Sequence, residues 1–509
     1  MRNMLRTQII GMISIAAMCL GVGLADASTY SLELDVAKYV TGTVLVNGVT
    51  MTYRAFENRV YVQQPVDVSY ETINIYVPEA YFHDETVNGY SAKSAPIFLP
   101  NSIGGYMPGP AGTLKSGPFG DGPSVALVAL SKGYVVAEPG ARGRTLKDTS
   151  GHYTGKAPAF IVDLKAAVRY LRHNKGVIPG DTEKIISNGT SAGGAASALL
   201  GASGDSNDYE PYLKALGAAN EQDDIFAISA YCPITNLEHA DMAYEWLFNG
   251  VNNYTQSPQM GGPGGPSAPG GGMPQLMGPA VPGGNGAMAN MSQAQIKASA
   301  ELKVMFPAYL DHLGLKGPDG SVLSLDGNGN GTFKDYLESF VIASAQSALA
   351  AGKDLSKLDW LNVKDGKVTG MDIKKYAVYA TRLKSTPAFD GFALHTGENG
   401  LFGTKDTDAL HFTAYSSKRG KKAPLADQRI IKMVNPMNYI GTATSAKHWR
   451  IRHGAVDRDT SLAVPVILAT LLKNKGFDVD FAIPWGRGHG GDYDLNELFA
   501  WTDMICKGK

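Results

Sequence analysis

The stretch Lys184-Ile185-Ile186-Ser187-Asn188-Gly189-Thr190-Ser191-Ala192-Gly193-Gly194-Ala195-Ala196 constrains this chain more than any other. An apolar run, read as the end of a strand, passes into Gly-Thr-Ser-Ala-Gly, and small residues of a helix over 195–200 follow at once. A strand that turns straight into a helix holds its corner residue in a strained conformation with the side chain exposed. Glycines on either side remove the clashes with the neighbouring strand and helix. Ser191 is therefore the candidate nucleophile. The pentapeptide alone is weak in a chain with 60 glycines among 509 residues; the strand–turn–helix setting gives it force.

The rest of the chain is read around that corner. Residues 30–40, 43–53, 60–63 and 71–77 are β-branched and roughly alternating, which predicts antiparallel entry strands. The pattern then changes to short apolar runs alternating with helical spacing. Strands are expected at 95–101, 134–138 and 225–232, and helices at 125–132 and 157–174. Such alternation implies parallel βαβ units, with a site at the carboxyl ends of the strands. It stops for about 190 residues and resumes with strand 449–453, helix 461–473, strand 478–483 and helix 495–506. The sheet is thus split by an insertion, 235–427, between core segments 28–234 and 428–509. Within the insertion, helices are expected at 292–305, 333–350 and 371–384, as an all-helical lid that would exclude water. A Gly/Pro/Met-rich tract at 257–290 predicts a loop with neither helix nor sheet.

A serine nucleophile needs a base within hydrogen-bond reach and an acid to orient that base. His489, in Trp485-Gly486-Arg487-Gly488-His489-Gly490-Gly491, follows a strand end and has glycines around it, which favours it over His453 and His411. The preceding strand leads into Asp457-Arg458-Asp459-Thr460. Asp457 is taken as the orienting acid, with Asp459 as the competitor whose plain role is to cap the helix at Thr460. The oxyanion would rest on the Ala192 amide and on a second amide from Ser102-Ile103-Gly104-Gly105, either Gly104 or Gly105, with Gly105 favoured.

Other features bound the setting. A basic start, an apolar run over 9–24 and Ala25-Asp26-Ala27 describe an export leader cut after Ala27, so the protein is expected in a periplasm or outside the cell. No other stretch is long and apolar enough to span a bilayer. Of three cysteines only Cys232 and Cys506 remain after that cut, and one disulfide or two buried thiols are equally compatible with them. With 46 Lys and Arg against 47 Asp and Glu, well mixed, nucleic acid is an unsuitable partner. Asp326-Gly327-Asn328-Gly329-Asn330-Gly331 places oxygen ligands at Asp326, Asn328 and Asn330 as a calcium loop does. The closing acid is absent, however: Leu337 stands where it is needed and Glu338 is one late, which leaves an Asn/Gly turn as the alternative.

The elbow Gly-Thr-Ser-Ala-Gly-Gly, the Asn-Ser-Ile-Gly-Gly-Tyr-Met loop, the Asp-Arg-Asp pair and the Gly-His-Gly-Gly loop together resemble the bacterial tannases (tannin acyl hydrolases). The resemblance runs from about residue 30 to the end. It implies an α/β-hydrolase fold, a mostly parallel sheet with a large, mainly helical lid insertion. The implied activity is hydrolysis of galloyl and protocatechuoyl esters and depsides, with no cofactor required. The resemblance carries a triad onto Ser191, Asp457 and His489, and galloyl-hydroxyl contacts onto Lys384, Glu398 and Asp459. Ile234 matches a position that packs on the ring, whereas the proline associated with the place before the glutamate is Gly397 here. Carboxylate acceptors and an ammonium donor suit a ring bearing phenolic O–H groups. A hydroxycinnamoyl (feruloyl) esterase on the same scaffold is the second reading, and a non-catalytic binding protein or a peptidase the remote ones.

Overall fold

A computed structural model describes residues 29–46, 48–114, 123–255 and 288–508. The proposed leader and the body of the Gly/Pro/Met tract lie outside the described residues. The strands, in chain order, are β1 (Val40–Val46), β2 (Val49–Val60), β3 (Thr72–Pro78), β4 (Pro96–Pro100), β5 (Val135–Pro139), β6 (Asp181–Thr190), β7 (Ala227–Tyr231), β8 (Asn253–Thr255), β9 (Met288–Asn290), β10 (Leu361–Lys364), β11 (Lys367–Met371), β12 (His448–Arg452) and β13 (Asp478–Ala482). Nine of them form one sheet in the order β1-β2-β3-β5-β4-β6-β7-β12-β13. The pairings β1–β2, β2–β3 and β3–β5 are antiparallel; those from β5 through β4, β6, β7 and β12 to β13 are parallel. Every residue of β4, β5 and β7 is buried, as expected of strands covered on both faces by crossover helices.

The entry region departs from expectation. Residues 30–39 form no strand, because their amides find isolated partners instead of a ladder: Tyr30 N–H donates to the Gln63 carbonyl and Leu34 N–H to Asn174 Oδ1. The expected single strand at 43–53 is a hairpin, with β1 and β2 paired in register from Val40 against Ala55. Asn47-Gly48 in the sequence is the reversal signal that β-branched content overrode, and Gly48 has φ +80°.

The insertion between β7 and β12 is not all helical. Its helices include Leu237–Phe248, Gln293–His312, Thr332–Ala350 and Ile373–Ala380. β10 and β11 form a hairpin whose Asp365-Gly366 corner has φ +50° and +72°. β8 pairs with β9, so the end of the Gly/Pro/Met tract is a strand, contrary to expectation. In the Asp326 loop, the carboxylate accepts the amides of Asn328 and Asn330, while Trp246 Nε1 donates to the Gly329 carbonyl. One continuous apolar core joins sheet residues such as Ile97 and Ile186 to Phe306, Trp360 and Phe389 of the insertion. Among the described residues, no helix is long and apolar enough to cross a membrane.

Candidate active site

Five loops at the carboxyl ends of adjacent parallel strands build the site. β6 ends directly at Ser191, the residue before helix Ala192–Ala202, with φ +62° and ψ −123°. That corner is a strained position for a residue with a side chain and persists only where its surroundings fix it. Ser191 N–H donates to the Tyr231 carbonyl at 2.9 Å, anchoring the corner to the end of β7. The glycines are required sterically. A Cβ on Gly189 would lie 2.3 Å from the Gly193 carbonyl oxygen, and one on Gly194 would lie 2.6 Å from that of Tyr231.

His489 sits in the loop after β13 and Asp457 in the loop after β12. His489 Nε2 is 2.8 Å from Ser191 Oγ, and Nδ1 is 2.9 Å from Asp457 Oδ2. The two loops are laced by backbone bonds, from the Val456 amide to the Arg487 carbonyl and from Ala455 to Pro484. Their closeness depends on Gly454, where a Cβ would lie 2.2 Å from the Arg487 carbonyl oxygen. Asp457 Oδ1 accepts the amides of Asp459 and Thr460 at 2.9 and 3.4 Å. Burial alone would raise the Asp457 pKa, yet the neighbouring imidazoles and these hydrogen bonds bring it to about 2. Burial likewise opposes charge on His489, but the carboxylates of Asp457 foremost and of Asp459 hold its pKa well above the ordinary imidazole value.

The competing histidines lie elsewhere in the network. His411 is buried against Asp390, with Nδ1 at 2.6 Å from Oδ1. His453 is buried beside the acid, with Nδ1 at 3.7 Å from Asp457 Oδ2. Asp459 does not cap a helix: the next one is Ala463–Asn474 and begins too late. Instead Asp459 Oδ1 is 3.1 Å from Lys384 Nζ and 3.9 Å from His489 Nε2. Burial would neutralise both members of the Asp459–Lys384 pair, but each one's charge sustains the other's: the Asp459 pKa is lowered and that of Lys384 raised, with Glu398 adding to the latter. Ile234 is buried, and its amide lies 3.4 Å from the Ser191 carbonyl.

The two candidate amides of the loop after β4 are not equivalent. Gly104 N–H donates to the Ser102 carbonyl at 2.9 Å, whereas among the described residues the Gly105 N–H meets no acceptor. Asn101 Nδ2 pins the loop to the elbow through Asn188 O, Gly193 O and Ser197 Oγ. Gly105 has φ +56°, and its carbonyl accepts from Arg144 Nε at 2.9 Å.

Some contributors were not legible in the sequence. Tyr244 Oη accepts the amides of Leu383 and Lys384 and donates to the Arg458 carbonyl, tying the lysine to the acid loop. Arg382 and Glu245 are both fully buried and paired at 2.5 Å, and Arg382 Nε also donates to the Lys384 carbonyl. Arg144 packs on the segment that carries Glu398; a Cβ on Gly397 would lie 3.3 Å from its guanidinium. Cys232 and Cys506 are both free and buried, so they do not pair.

The sheet order, the strained serine at a strand–helix corner and the imidazole against its hydroxyl define an α/β-hydrolase with the equipment to cleave carboxylic esters. Comparison with known proteins narrows that class. The family described as BD-FAE matches residues 121–263, and no curated protein matches the chain. A tannase of Fusobacterium nucleatum shares 50% identity, with a TM-score of 0.88 over 94% of this chain and 100% of its own. A tannase of Lactobacillus plantarum in an orthorhombic crystal shares 46%, with a TM-score of 0.87 over 94% and 100%. A tannin acyl hydrolase in complex with ethyl gallate shares 45%, with a TM-score of 0.86 over 93% and 99%. The chain belongs to the tannases.

Proposed function

We propose that this protein hydrolyses galloyl esters, those of hydrolysable tannins and simple gallate esters, releasing gallic acid through a covalent acyl-serine. The observation that carries the reading is the Lys384–Asp459 pair held within 3.9 Å of the imidazole that contacts Ser191, where an aromatic acid's ring hydroxyls need partners. The ethyl gallate complex of a relative 45% identical supports the substrate class.

In this reading His489 Nε2 takes the Ser191 proton as Oγ attacks the ester carbonyl. The carbonyl oxygen becomes an oxyanion held by the amides of Ala192 and Gly105. Collapse breaks the bond to the alcohol, which leaves with the proton from His489. Water, deprotonated by the same imidazole, attacks the acyl-serine and frees the acid. Asp457 stays charged and fixes the imidazole's tautomer. Lys384, Glu398 and Asp459 bind the ring hydroxyls, Ile234 packs on the ring, and segment 235–427 covers the cleft as a lid. None of these steps calls for a cofactor. The basic start and Ala25-Asp26-Ala27 support export of the protein, with the leader cut after Ala27.

Ser191→Ala should lower kcat on methyl gallate by about 10⁴-fold or more while gallate still binds; turnover near that of the parent overturns the assignment. Glu398→Ala should reduce kcat/KM for methyl gallate by about 10- to 150-fold, the worth of a lost hydrogen bond to a charged group. Methyl benzoate, which lacks the hydroxyls, should be nearly unaffected. An equal loss on both esters removes Glu398 from ring recognition.

A further inference from the structure

A thiol that ester hydrolysis does not use lies among the atoms that perform it. Cys232 directly follows β7, has φ +38°, and is fully buried and unpaired. Its amide donates to the Arg452 carbonyl at 2.6 Å, and its sulfur lies 3.5 Å from the carbonyl oxygen of Gly490, the residue after His489. One donor atom each from Cys232, Asp457 and His489 lie within 4.8 Å of one another. Next to them, both ring nitrogens of fully buried His453 lack a hydrogen-bond partner among the described residues, although Nδ1 is only 3.7 Å from Asp457 Oδ2. A buried imidazole left bare in this way marks a polar space that a water or an ion would complete.

We propose that Cys232, His489 and Asp457 form an inhibitory binding site for a zinc-group divalent cation, Zn²⁺ or Cd²⁺. The sulfur, imidazole Nδ1 and a carboxylate oxygen are the donor set such ions select, whereas Mg²⁺ and Ca²⁺ want oxygen alone. Metal–ligand distances of about 2.0–2.3 Å require the three side chains to draw together by roughly an ångström. On binding, the Cys232 thiol proton leaves to solvent, and His489 binds through Nδ1 as the neutral Nε2–H tautomer, its Nδ1 proton having passed through solvent to Nε2. Thiolate and carboxylate then balance the two positive charges, so the buried cluster stays neutral. The ion breaks the bond by which Asp457 orients His489 and withdraws electron density from the ring. The inhibitory half rests on His489 being the base for Ser191; the binding half does not.

The test therefore reads binding without substrate. Titrating the full chain with Cd²⁺ should produce the ultraviolet thiolate-to-cadmium absorption, saturating at one equivalent. It should vanish in Cys232→Ala and persist in Cys506→Ala. Zn²⁺ and Cd²⁺ should inhibit ester hydrolysis reversibly, with a chelator restoring the rate and Mg²⁺ and Ca²⁺ inert. Cys232→Ser should raise the inhibition constant at least tenfold. Should the Cys232 variants not fold, cadmium NMR of the parent decides: a mixed sulfur–nitrogen–oxygen shift supports the site and an oxygen-only shift overturns it. Absorption that survives Cys232→Ala, or that saturates with no loss of hydrolysis, also overturns it. A protein that fails on methyl gallate yet shows the Cys232-dependent absorption defeats the galloyl reading alone.

Discussion

His489 carries the sharpest electrostatic consequence in the molecule. Burial favours its neutral form, but the charges of Asp457 and, more weakly, Asp459 win, and its pKa lies well above 6.5. The proposed base works only when neutral, so activity must rise with pH as His489 loses its proton. The acid limb of kcat/KM should therefore centre above pH 6.5. Asp459→Asn removes one of the charges that raise the pKa, so the limb should move to lower pH even as gallate binding weakens. A pH profile with methyl gallate checks both; a limb that stays put in the variant excludes Asp459 from tuning the base. At this scale much was legible. Ser191, Asp457 and His489 are short-range signals, each a polar residue among glycines or turn residues just after a strand. Tyr244 and Arg382 were not, since Tyr244 acts on Arg458, 214 positions away, and nothing near either residue announces the partner. The sequence offers Asp459 as a helix cap, and the pairing with Lys384 that the structure shows instead has no local signal, since the lysine is far along the chain.

Among the elements, the loop after β13 approaches the elbow because Gly491 has no side chain: a Cβ there would lie 1.9 Å from Thr190 Oγ1 and 3.1 Å from Tyr231 Cβ. Gly491→Ala must push this loop away, and His489 is two residues upstream. A displacement near an ångström at a reacting group costs about 100-fold, so kcat should drop by about that factor in a protein that still folds. Thr190→Ala in the same chain should recover part of the loss, measured by steady-state rates and circular dichroism. Parallel strands with continuous apolar runs were readable because burial on both faces dictates composition. The hairpins were misread for a different reason. At Gly48 and at Asp365-Gly366 one or two residues mark the reversal of the chain, and averaging over β-branched or helical neighbours hides them. Segment 30–39 was misread because its partners, Gln63 and Asn174, are supplied from far along the chain.

In the whole molecule, sheet and insertion share one apolar core. Apart from it, among the described residues, the insertion buries only a small cluster of Ala298, Leu302 and Tyr415, so thermal unfolding should give one endotherm, with loss of esterase activity at the same midpoint. Two resolved endotherms in scanning calorimetry would show that the insertion unfolds apart from the sheet. The break in strand–helix alternation between β7 and β12 is legible in the sequence; the continuity of the core across it is not. The sheet order has a last consequence. Ser191 directly follows β6, and the imidazole it contacts arrives 298 positions later, after β12 has seated beside β7 and β13 beside β12. A ribosome therefore finishes the proposed nucleophile long before the proposed base for it has been made. In the proposed mechanism the serine stays chemically mute until residue 489 has emerged and folded against it.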